Sequence, residues 1–133
     1  MKKLTREWVK KAEADYRLTV KLGRGREPFH DQICFHCQQA AEKYLKALME
    51  ELGLPIPHTH NLVALLPLLV PHHASLRSLR RGLDFLTRFA VDTRYPGDWA
   101  SKRQSQASLR WAELARTECR TLLGIKPRRR RKG

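Results

Sequence analysis

Residues Asp31 to Leu52 read DQICFHCQQAAEKYLKALMEEL, a run without Gly or Pro that is rich in strong helix formers. Within it Ile33, Cys37, Ala40, Ala41, Tyr44, Leu48 and Leu52 recur at spacings of three and four, which places them on one side of a helix. Cys34, Leu45 and Met49 widen that side into a broad stripe. A stripe of this width calls for more than one neighbour, so the segment reads as the central helix of a bundle. His36, Gln39, Lys43 and Lys46 lie three or four apart on a second, polar face, and any chemistry on this helix belongs there.

Working outward, Gly53 ends the central helix, Leu54 is placed for the apolar contact that accompanies a glycine C-cap, and Pro55 and Pro57 prevent continuation. Glu27-Pro28 can open it, since proline suits the first helical position. Upstream, Thr5 is a candidate N-cap with Glu7 in the first turn, predicting a helix to Leu22 whose inner side carries Trp8, Ala12, Tyr16 and Thr19 or Val20. Downstream, Thr59 can cap a third helix with Leu62, Leu65, Leu66 and Leu69 inward, kinked or split by Pro67. Ser75 is the next candidate cap, and Leu76, Leu79, Leu83, Leu86 and Ala90 keep the three-four rhythm up to Tyr95, with Arg77, Arg80, Arg81 and Arg88 outside. After the Pro96-Gly97-Asp98 turn, Ala107, Trp111, Leu114, Cys119 and Leu122 define a last helix, closed by Gly124, Ile125 and Pro127. The expectation is an all-α, single-domain, up-and-down bundle of about five helices over residues 1–125, with a disordered basic tail at 126–133. Core packing accounts for almost all the apolar residues named.

The chain has 133 residues, enough to bury a core without metal or disulfide support. Its formal net charge is +14, from 27 Lys and Arg against 13 Asp and Glu; six positive charges lie in the terminal KPRRRRKG, leaving +8 for the remainder. Such an excess makes a polyanionic partner, RNA included, a candidate through either the basic surface or the tail, against the alternative of a solvated tail and a charged outer face. Three cysteines and no secretory apolar stretch predict free thiols and a cytoplasmic location. No segment approaches the roughly 20 apolar residues of a membrane span.

CFHCQQAAEKYLKAL, followed by THNLVALL and much later by RYP, with Trp8 and Asp15 in the first helix, resembles the signature of the HEPN family (higher eukaryotes and prokaryotes nucleotide-binding) over about two thirds of the chain. The resemblance implies a helical bundle, and function must be argued from the site. Ribonuclease members of that family use an Arg and a His with four to six residues between them. The Arg aligned with it here is Arg94, but Trp99, Ala100 and Ser101 stand where the His would fall, so the motif is incomplete and no catalytic residue is assigned. Metal-free RNA cleavage needs a base for the 2′-hydroxyl as well as a cation, and Arg94 supplies only the second. Tyr95 stands beside the Arg rather than beyond a His, so the nucleotidyl-accepting tyrosine of related ribonucleases is not carried over. Arg24 and His30 match the bare spacing but fall in a loop before the central helix.

The resemblance brings the loop with His60, the central helix and RYP together, so His36, Gln39, Lys43, His60, Arg94 and Tyr95 are the candidate nucleotide- or substrate-binding residues. Lys and Arg would hold phosphate and Tyr95 could stack on a base, whereas in the structural alternative Gln39 and Arg94 tie the bundle together. His30, Cys34 and Cys37 share a helix face, but one C-x-x-C without a second pair is a weak zinc pattern, and helix contact explains it; no metal or other cofactor is expected. Neither a nucleophile elbow nor a phosphate-cradling glycine loop occurs in the sequence.

The resulting expectation is a non-catalytic HEPN protein, a homo-oligomer partnering a minimal nucleotidyltransferase and binding an ATP-like nucleotide or other substrate, in a toxin-antitoxin-type pair. The nucleotidyltransferase would supply the metal-binding carboxylates. The alternatives are a ribonuclease toxin that borrows His60, and a basic RNA-binding adaptor. Oligomerisation is expected because the apolar stripe of the central helix looks wider than one small bundle can cover.

Overall fold

The computed structural model describes residues 1–90 and 95–127. Among them are five α-helices, α1 (Lys3–Arg24), α2 (His30–Leu52), α3 (Leu62–Leu69), α4 (Arg80–Thr87) and α5 (Lys102–Leu122). Short 3₁₀ segments at Ala74–Leu79 and Arg88–Ala90 flank α4, and no strand occurs among the described residues. The all-α bundle expected from the helical periodicity is the observed fold.

Helix α2 is central: thirteen of its residues are buried, with α1, α5 and the α3–α4 unit packed around it. Tyr44, Leu45, Leu48 and Met49 meet Leu62, Leu65 and Leu69 of α3 together with Leu76, Leu83 and Leu86, all fully buried. Each such aliphatic side chain contributes roughly 2 kcal/mol by leaving water. The wide stripe is thus covered within one chain, and its width gives no reason for a second copy. Gly53 ends α2 at φ 70°, its N–H donating to the Glu50 carbonyl and that of Leu54 to Met49, with Leu54 packed on the core. The left-handed cap requires glycine there.

Local signals were displaced wherever tertiary contacts overrode them. Thr5 is no N-cap but a buried residue inside α1, donating its hydroxyl to Glu51 at 3.0 Å. The helix starts one turn earlier because the Lys2 N–H reaches Glu51 and its ammonium reaches the Glu50 carbonyl. At its other end α1 runs through Gly23, where α5 approaches so closely that a Cβ would lie 3.1 Å from Leu109. Pro28 stays outside α2, which begins at His30. Asn61, not Thr59, caps α3 by accepting the Val63 N–H, and Pro67 sits inside α3 without splitting it. Ser75 donates to Glu118 instead of capping a helix. Leu114 is 52% exposed, because α5 faces the core with Ser105, Ser108, Ala112, Ala115 and Cys119. Small residues let its backbone come close to α2, leaving bulkier Leu114 outside.

All three cysteines are free and fully buried. Burial pushes the Cys34 thiol up to about 11 and that of Cys37 to about 12, so neither is a nucleophile near neutral pH. No described helix is long and apolar enough to cross a membrane.

One charged node ties three helices. Glu13 of α1 accepts from Arg116 Nη2 at 2.7 Å, from Arg116 Nε at 2.9 and 3.0 Å, from Arg120 at 3.3 Å and from the Tyr44 hydroxyl. Burial raises the carboxyl, but the Arg116 and Tyr44 hydrogen bonds and the two guanidinium charges outweigh it and hold Glu13 below its ordinary 4.5. A carboxyl depressed on folding stabilises the native state above its unfolded value, and that stability disappears as pH falls through the folded value. Glu13→Gln is therefore expected to cost about 1–3 kcal/mol at neutral pH. Urea unfolding between pH 7 and 3 should show that the variant loses less stability than wild type below 4.5; parallel curves would refute this.

Candidate functional site

On the face of α2 away from α5, polar side chains gather in a strip with two acidic anchors. The first is Asp15 of α1, which accepts from Lys43 Nζ at 2.5 Å through one oxygen and from His36 Nδ1 at 2.8 Å through the other. Lys43 and His36 are seven residues apart on α2, two helical turns, so one carboxylate reaches both. The second anchor is Glu42, only 4% exposed, which accepts from Lys46 at 3.2 Å, from Gln38 at 3.1 Å and from His60 Nδ1 at 2.8 Å. Gln38, Glu42 and Lys46 follow at i, i+4 and i+8, and stack along the helix. Gln39 joins the second group by donating to Gln38 at 2.7 Å.

The loop carrying His60 is held from both sides. Gln38 donates to the His60 carbonyl at 3.1 Å, and the Leu62 N–H donates to the Thr87 hydroxyl at 3.1 Å, which sets the loop against the end of α4. Because a carboxylate can only accept, Nδ1 of His60 carries the proton, and the neutral ring presents Nε2 as an acceptor. The His60 side chain is 65% exposed, so that nitrogen is available to a ligand. A buried carboxylate orienting an exposed imidazole can bind a phosphate when the ring is charged, or take a proton when it is neutral.

Of the six expected binding residues, His36, Gln39, Lys43 and His60 fall in this strip. Tyr95 is 64% exposed and Arg94 lies outside the described residues. Asp15, Gln38 and Glu42 complete the strip and were not among the expected binding residues. The i, i+4 spacing of Gln38, Glu42 and Lys46 was the available signal, and the reach of Asp15 from another helix was not readable. His30 bonds to Ser105 at 2.9 Å and Cys34 accepts from Ser108 at 3.4 Å, while Arg24 ends α1. No group of three or more His, Cys, Asp or Glu among the described residues could hold a metal ion.

Fold and site together define a small helical-bundle domain with a polar, partly exposed strip on its central helix. The model of the HEPN domain matches residues 5–122, nearly the whole described chain, and the protein belongs to the HEPN family. Its fold is similar to the crystal structure of TT1696 from Thermus thermophilus, with a TM-score of 0.73 and 24% identity over 88% of this chain and 96% of that one. No curated protein matches the sequence.

Proposed function

We propose that this HEPN protein is a non-catalytic binding subunit that holds a nucleotide or a phosphorylated substrate along the α2 strip, next to a minimal nucleotidyltransferase. The observation that carries this reading is the His60 ring, exposed to solvent yet oriented by buried Glu42. Burying an ion pair such as Glu42–Lys46 seldom adds net stability, so its presence under an exposed imidazole supports a functional reason for it. His36 and Lys43, both bonded to Asp15, extend the polar strip along the same helix.

Calorimetric titration of ATP into the full chain at near-physiological salt, with and without magnesium, tests the reading. Saturable heat is expected, with affinity about tenfold weaker in Lys43→Ala and in His60→Ala, a loss of about 1.4 kcal/mol each. A folded protein that gives no heat, or binding untouched by both changes, would count against it. A homo-oligomer and a cytoplasmic toxin-antitoxin-type pairing belong to the same proposal. The exposed aromatics Tyr95 and Trp99 are among the apolar side chains open to such an interface, and sedimentation as a monomer at micromolar concentration would count against the oligomer.

The same Glu42–His60 pair favours a second reading, ribonuclease activity with His60 as general base. RNA cleavage by the wild type that His60→Ala and Arg94→Ala each abolish would replace the first proposal.

A further inference from the structure

On the opposite flank of α1 from Asp15, α1 and α5 enclose an open groove of about 950 Å³. Glu13 and Asp15 are two residues apart, roughly 200° around the helix, so the groove and the α2 strip are separate surfaces. Five cations line the groove, Arg17, Lys21 and Arg24 from α1 with Arg116 and Arg120 from α5, against the single carboxylate of Glu13.

The two α5 arginines are fixed. Both are held by Glu13, and Arg116 also lies over the Tyr16 ring at 4.7 Å. Arg17, Lys21 and Arg24 differ: all three are exposed, and none has a hydrogen-bond or ion-pair partner among the described residues. Like charges at spacings of four and three on one helix repel each other, and the one carboxylate in the groove, Glu13, is bonded to Arg116 and Arg120 instead. From Arg17 to Arg24 the row of cations extends about 10 Å, longer than one phosphate and suited to consecutive phosphates of a chain. Pro127 forms part of the groove wall, and four arginines and a lysine follow it in sequence.

We infer that the α1–α5 groove binds the phosphodiester backbone of a nucleic acid strand, with Arg17, Lys21 and Arg24 as phosphate contacts and Arg116 and Arg120 as its fixed wall. Rigid guanidinium groups suit phosphate oxygens, and contacts to the backbone alone carry no sequence preference.

The test is fluorescence anisotropy of the full chain with labelled oligouridine RNA and oligothymidine DNA across a salt series. Arg17→Ala/Lys21→Ala/Arg24→Ala should weaken binding at least tenfold and flatten the salt slope by about 2, at about 0.7 per lost single-strand phosphate contact. Arg77→Ala/Arg80→Ala/Arg81→Ala removes the same charge from another exposed surface and should change affinity less than threefold. Dependence on the groove triple in either strand supports the inference, and the tighter arm identifies the strand. Equal losses from the two triples, binding abolished only by replacing the terminal arginines, or equally effective competition by polyglutamate would each overturn it. All six changed positions are exposed, and circular dichroism confirms folding. Unchanged ATP heat in the groove triple would keep this site distinct from the α2 strip.

Discussion

Gly82→Ala is expected to destabilise the protein by about 1–3 kcal/mol, although alanine is the better helix former. Helix propensity alone predicts a gain of about 1 kcal/mol. Packing reverses the sign, since a Cβ on Gly82 would stand 2.1 Å from Trp111 Cε3, 2.2 Å from Cδ2 and 2.8 Å from Cγ. Cγ is bonded directly to Cβ, so turning the ring about χ2 leaves its 2.8 Å contact in place, and relief requires either a different χ1 rotamer of a packed indole or a separation of α4 from α5. Urea unfolding followed by circular dichroism reads the effect. In a Trp111→Leu background the cost should shrink by at least 1 kcal/mol, the coupling expected of residues in direct contact. A stabilised Gly82→Ala would mean that propensity wins and that the α4–α5 approach is not set by this contact.

Removing the carboxylate of Glu42 should have the other large effect. Lys46 is 7% exposed with Glu42 as its counter-charge, and Gln38 is fully buried. Glu42→Ala strands a buried ammonium, frees one Gln38 N–H and releases the His60 ring; breaking such a pair costs about 3–5 kcal/mol. Glu42→Leu/Lys46→Met removes both charges and should recover most of that loss. The double variant therefore separates folding from binding. If it unfolds like wild type but no longer takes up ATP, the cluster serves the site by holding His60. Unaltered ATP affinity in a stable double variant would assign the cluster to the fold alone.

These two positions illustrate what periodicity can and cannot reveal. The three-four pattern along Asp31–Leu52, the αL cap at Gly53 and the leucines of α3 were readable because each depends on neighbours within one or two turns. Thr5, Thr59 and Leu114 were misplaced because each was decided by another helix: Glu51 extends α1, the capture of the His60 carbonyl by Gln38 accompanies a later start of α3, and the small-residue face of α5 excludes Leu114. The polar face of α2 was visible as His36, Gln39, Lys43 and Lys46, but its anchors were not.

The sequence by itself determined the helical class, the central place of α2, the glycine stop at Gly53 and the family resemblance, all of which follow from short-range spacing and residue type. Only the tertiary structure decided that one chain covers the α2 stripe, that Asp15 reaches His36 and Lys43, that Glu42 orients His60, and that the cations of α1 and α5 face one groove. Those pairings join residues up to about a hundred positions apart, and which carboxylate meets which cation depends on how helices pack, a quantity no local pattern records.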